Sequence, residues 1–127
     1  MSEIFVDTIK NKAGSTSLDS DKLPDMYEGS AKAHVNYSSA RTIRKSLNVS
    51  SITDTATGRA VVNFTNNFSD SSYGTTLGFM NPQNNEAAIM ENNNVTKDAG
   101  QVGVVTLSAG AYYDANNTTS YHLGDLA

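Results

Sequence analysis

The sequence predicts an all-β protein: an antiparallel β-sandwich, jelly-roll-like, preceded by a short N-terminal strand and an extended linker. Three observations lead there. The 127 residues include 14 Asn, 15 Ser and 13 Thr, a third of the chain. These side chains compete with helical hydrogen bonds, Thr suits a pleated sheet, and Asn joins Asp and Gly in turns. Short runs bearing Val, Ile, Tyr and Phe alternate apolar and polar residues with period two. Turn signals recur roughly every ten residues, the spacing of sandwiches and small barrels.

Glu3 to Ile9 reads as the first strand. Ile4, Val6 and Thr8 point one way, Phe5, Asp7 and Ile9 the other, so apolar groups occupy both faces. A terminal strand of that kind needs cover from a partner. Apolar content then collapses from Lys10 to Ser30. Asn11 to Ser17 reads as a loop, a short helical turn can begin at Pro24, and the whole stretch reads as a tether. The expected division is residues 1–30 as an attachment segment with its linker, and 31–127 as the globular domain.

Within that domain Ala33, Val35 and Tyr37 alternate with His34 and Asn36, and Thr42 to Lys45 continues or pairs with that strand. Leu47 to Thr53 and Arg59 to Thr65 flank Asp54-Thr55-Ala56-Thr57-Gly58, a loop ending in Gly, which predicts a hairpin. Asn66-Asn67 turns the chain and Phe68 to Ser72 makes a corner. Tyr73 to Met80 is the next strand, with Tyr73, Thr75, Leu77 and Phe79 on one side, and Pro82 among asparagines ends it. Glu86 to Glu91 is a short apolar run, Asn92-Asn93-Asn94 turns again, Gln101 to Ser108 is a strand, and Ser120 to Leu126 is the last.

The net charge of -4 speaks against non-specific nucleic-acid binding, which needs clustered Lys and Arg. There is no Cys, hence no disulfide scaffold, thiolate metal site or Cys nucleophile. No apolar run approaches the roughly 18 residues of a membrane span, and the residues after Met1 do not read as a secretory signal. No nucleophile elbow, Walker loop, dinucleotide fingerprint or His-Glu-x-x-His occurs. His34 and His122 read as surface histidines on strands. Asp19, Asp21 and Asp25 alternate, but lack the glycine and closing glutamate of an EF-hand, and read as a solvated acidic stretch. The expectation is no catalytic residue, no metal and no cofactor. Arg41, Arg44 and Lys45 form the one basic cluster, suited to local acids or a neighbouring subunit. Tyr112 and Tyr113 are adjacent, so one is exposed. With Asn116 and Asn117 they form the candidate recognition surface, since exposed Tyr beside Asn suits adaptable binding, carbohydrate stacking included.

The opening Ile4-Phe5-Val6-Asp7-Thr8-Ile9-Lys10-Asn11-Lys12-Ala13-Gly14 resembles the N-terminus of bacteriophage tail-fibre and other virion fibre proteins, those of marine phages especially. Ala31 to Tyr37, Ile43-Arg44, Leu47 to Asp54, Gly58, Val62 to Thr65 and the closing Leu123 to Ala127 are similar to a C-terminal module of the same proteins. His34 stands where that module usually has Trp, and the loop at Ser38-Ser39-Ala40 is shorter. The resemblance implies a non-enzymatic virion structural protein, a short tail fibre or spike, assembled as a homotrimer. Ile4, Phe5, Val6 and Ile9 would attach it to other virion proteins or to sister chains. The β domain would face outward, toward a host cell-surface glycan or protein. Such a protein is made in the bacterial host cytoplasm and resides on the tail or capsid surface, without nucleic acid or membrane insertion. The alternative is a capsid decoration or head-fibre protein that stabilises the virion surface.

Overall fold

A computed structural model describes residues 8–10, 17–19, 30–80, 87–92 and 94–127. Backbone contacts divide the chain into two units, Met1–Ser30 and Ala31–Ala127. In the first, β1 (Thr8–Lys10) pairs antiparallel with β2 (Ser17–Asp19), Ile9 opposite Leu18. One expectation is corrected: Ser17–Asp19 falls in the expected linker and is a strand, paired with the end of the leading strand at Thr8–Lys10, Ile9 included. Ile4, Phe5, Val6, Asp21, Asp25 and the turn expected at Pro24 lie outside the described residues.

The second unit is an antiparallel sandwich, and its described residues contain no helix. Its strands are β3 (Ala33–Tyr37), β4 (Ile43–Leu47), β5 (Val49–Ala56), β6 (Arg59–Phe64), β7 (Gly74–Met80), β8 (Ala87–Glu91), β9 (Gln101–Ser108), β10 (Ala111–Tyr112) and β11 (Asn117–Leu123). One sheet runs β4-β3-β11-β7. The other runs β5-β6-β9, with β8 also paired to β9 and β10 set beside the C-terminal end of β9. Neighbouring hairpins stay in one sheet, while the first and last strands of the unit lie side by side, Val35 opposite Ser120.

Two of the places where the chain changes sheets are asparagine corners, after β4 and after β6. Asn48 sits at φ 53°, which its short polar side chain tolerates. Its Oδ1 accepts from the Asn66 amide at 2.7 Å, and its Nδ2 donates to the Asn66 carbonyl at 3.0 Å. The β4–β5 corner is thereby tied to the β6–β7 corner. The hairpin expected around Asp54–Gly58 is present but tighter: strand pairing continues to Ala56 opposite Arg59, leaving Thr57-Gly58 as the turn.

Alternation fills the core. Ala33, Val35 and Tyr37 from one sheet meet Ala60, Val62, Phe64, Val102 and Val104 from the other. At one end Phe68 stacks on Tyr73 with centroids 4.3 Å apart, and Phe64 meets both edge-on. His122 completes this aromatic group, 5.0 Å from Phe64 and 0% exposed. The reading of His122 as a surface histidine is therefore overturned. The last strand starts at Asn117 rather than Ser120, and its inward residues are Thr118, Ser120 and His122. A polar residue is tolerated there because both ring nitrogens have hydrogen-bond partners.

Candidate functional site

The sandwich presents two outer faces, and the residues expected to form one recognition surface are divided between them. Tyr112 is opposite Leu107, whose side chain points away from the core, so the Tyr112 ring stands on the outer face of the β5-β6-β9 sheet. Its ring is 48% exposed, and the Arg59 guanidinium lies 4.1 Å from its centroid. Arg59 reaches it because β6 and β10 follow one another along the same edge of β9. Met90, Val105, Leu107 and Tyr112 line an open cleft of about 220 Å³, with Asn92 and Asn94 at its rim. Glu91 also lines it, so an apolar floor lies beside an aromatic ring, a carboxylate and amides, with the Arg59 guanidinium against Tyr112, a combination that suits a flat, partly polar ligand.

Tyr113 is half-buried. Its amide donates to the Thr106 carbonyl at 3.1 Å, and its carbonyl accepts from the Thr106 hydroxyl. It anchors the chain as it leaves β10. Asn116 is exposed on the crossing to the other sheet, beside the buried Ala115. Asn117 begins β11 and lies on the opposite outer face from Tyr112, where Asn36 Nδ2 donates to its Oδ1.

That second face was not legible as a site. Tyr121 and His34, directly opposite one another on β11 and β3, stack with centroids 5.6 Å apart. Leu47 extends the row on β4. The signal available was the alternation in Asn117–Leu123, in which Tyr121 falls out of phase with Ser120 and His122; setting the strand three residues late hid it.

Two polar groups hold the frame of the sandwich. Arg41, at φ 61° in the β3–β4 turn, buries its side chain to 7% exposure. It donates to Asp114 Oδ1 at 2.6 Å, to Asp54 Oδ1 at 3.2 Å, and to the carbonyls of Ser39 and Arg59. Asp114 Oδ1 also accepts from the Gly58 amide at 2.7 Å. One guanidinium thus joins a turn of the first sheet to a hairpin of the second, and Asp114 fixes the stretch just beyond Tyr112. The expected pairing of this basic cluster with local acids holds for Arg41. Nearby, burial pushes the Tyr37 phenol up to about 12.

The other group surrounds His122. Its Nε2 is 3.1 Å from Ser120 Oγ and its Nδ1 3.4 Å from Thr75 Oγ1. Thr75 also bonds Glu91, which pairs with Lys97 Nζ at 2.9 Å. Lys97 donates to the Tyr73 carbonyl at 2.8 Å and lies 4.4 Å from its ring. Burial and the Lys97 charge lower His122 to about 4, against the opposing pull of Glu91. Burial acts to raise Glu91, but the hydrogen bonds of Lys97 and Thr75 outweigh it and hold the carboxyl below its ordinary value. Hydroxyl, imidazole and carboxylate stand in order here, yet Ser120 is wholly buried. Its oxygen meets no substrate, so this chain of groups ties β7, β8 and β11 together rather than attacking anything. Among the described residues no group of three His, Cys, Asp or Glu could hold a metal. No family model, curated protein or solved structure matches the chain.

Proposed function

We propose that this chain is a non-enzymatic structural protein of a phage particle, a short tail-fibre or spike component. Its N-terminal unit joins the assembly, and its sandwich is displayed outward for contact with a host-surface glycan or protein. The observation that carries this reading is the division at Ser30, where a small unit containing two paired three-residue strands precedes a sandwich with its own core. A two-stranded sheet alone is marginal in water. Contact with sister chains or other virion proteins is what would stabilise it. The Tyr112 cleft then supplies a contact surface of the Tyr, Arg and Asn chemistry that concentrates binding energy. Three copies on one particle would multiply weak contacts made by each.

Imaging of intact particles carrying an epitope-tagged copy tests this. The sandwich is expected to project from the tail, with residues 1–30 against another chain, and deletion of residues 1–12 is expected to abolish incorporation. Full incorporation of the deleted chain, or absence of the protein from the particle, would contradict the proposal. A position over the capsid with loss of particle stability on deletion would favour the decoration role.

A further inference from the structure

We propose that the outer face of the β4-β3-β11-β7 sheet binds one or two pyranose rings of a neutral sugar bearing an acetamido group, seated against Tyr121 and over Gly78. The inference concerns the sandwich alone and does not depend on the particle assignment.

Three rows of residues cross this face. Leu47, His34, Tyr121 and Thr76 form the first, Lys45, Asn36, Thr119 and Gly78 the second, and Asn117 and Met80 the third. The Tyr121 ring is 45% exposed and is backed by His34 at an interplanar angle of 24°. Beside Tyr121 the surface steps down, because Gly78 has no side chain and nothing lies within 4 Å of where a Cβ would be. The result is a shallow niche with an aromatic wall held upright and a backbone floor. Glycine in a strand interior sacrifices stability, and close approach of a ligand is one reason for it.

The polar side of the niche is set in advance. Asn36 Nδ2 donates to Asn117 Oδ1 and, at 2.8 Å, to Thr119 Oγ1. With these oxygens already accepting from Asn36, the Asn117 amide keeps its N–H donors and the Thr119 hydroxyl its proton to offer a ligand. A fixed donor pair beside an apolar ring selects a ligand with a C–H face and a carbonyl acceptor. Pyranose rings supply the first and an acetamido group the second. No Asp or Glu of these four strands stands among the described residues of the face. The charged side chain in these rows is Lys45, so the face offers a cationic ligand no carboxylate partner.

Area decides against a protein partner. Four strands about 4.8 Å apart and some five residues long offer roughly 250 Å². A stable protein interface needs about 800 Å² from each partner. One or two sugar rings match the smaller figure, and a shallow site of this kind gives a dissociation constant in the millimolar range.

Saturation-transfer NMR on the full chain tests the site, with N-acetylglucosamine, N-acetylgalactosamine and glucose as probes. Transfer to the acetyl methyl and ring protons of at least one N-acetyl sugar is expected, with at least fivefold weaker binding of glucose. Gly78→Thr places its Cβ where nothing lies within 4 Å and suits a strand, so it is expected to fold, to fill the niche and to lose binding at least tenfold. Asn117→Ala should weaken binding severalfold, and Thr55→Ala, exposed on β5 of the other sheet, should leave it unchanged. Undiminished binding by folded Gly78→Thr, loss of binding in Thr55→Ala, equal binding of glucose, or no transfer to any probe would overturn the proposal. Particle incorporation is a separate readout, so failure here leaves the assembly reading standing and the reverse also holds.

Discussion

Replacing Gly58 with alanine should unfold the sandwich at a much lower temperature. Gly58 sits at φ 67°, a region that disfavours an L side chain by about 1–2 kcal/mol. A Cβ there would meet the Thr106 carbonyl oxygen and the Tyr113 amide nitrogen, each at 2.6 Å. Both are backbone atoms and cannot swing aside. Relief requires moving the hairpin away from β9, which breaks the Thr106-to-Gly58 hydrogen bond of 2.8 Å and the Gly58-to-Asp114 bond of 2.7 Å. Each is worth about 1 kcal/mol, more for the charged acceptor. The sum is about 3–5 kcal/mol, a large share of a typical domain's stability. For a domain of this size that lowers Tm by about 15–30 °C. Gly110→Ala is the control: it sits at φ 78° with nothing within 4 Å, so only the torsional part, about 1–2 kcal/mol, applies. Calorimetry on both variants separates torsion from collision. A Gly58→Ala melting point equal to that of Gly110→Ala would refute the close approach on which the placement of β10 and Tyr112 depends.

Arg41→Met should lower stability by about 2–3 kcal/mol, since it leaves Asp114 and two carbonyls without their shared donor. Urea unfolding measures it, and a loss under 0.5 kcal/mol would contradict the clamp. His122 should make the fold acid-sensitive. Its folded pKa of about 4 lies below the unfolded 6.5, so its contribution is complete above pH 6.5 and drains as pH falls toward 4, by up to about 3 kcal/mol. His122→Phe should flatten the stability profile in that window, and an unchanged slope in the variant would assign the acid loss elsewhere. Glu91, held below its ordinary value, adds to the loss at still lower pH. Tyr112→Ala should shift Tm by only a few degrees, because the ring is half exposed, while reducing adsorption of particles to host cells.

Strand identity was legible where alternation was clean. Gln101–Ser108 is a strand from end to end, and the Arg59–Phe64 hairpin partner is where the pattern puts it. What alternation does not carry is which strand lies beside which. The pairing of β3 with β11 joins residues more than eighty positions apart. Burial of His122 depends on equally distant neighbours, because Phe64 and Tyr73, which meet its ring, and its partner Thr75 come from elsewhere in the chain. A lone polar residue in a strand reads as outward until such partners are known. Ser17–Asp19 was hidden for a related reason: three polar-flanked residues have no period of their own, and only Thr8–Lys10 across from them makes a strand of them. Tyr112 was legible as an exposed aromatic residue, but Arg59 and Met90, which give it a cleft, come from strands far away in sequence.

The claim most open to test is that one chain is not the finished unit. Sedimentation of the 127-residue chain over a wide concentration range measures this directly. The expected result is a species of about 40 kDa, three times the 13.5 kDa chain, that persists on dilution and is lost when residues 1–12 are removed. A 13.5 kDa species at every concentration, with or without those residues, would contradict it.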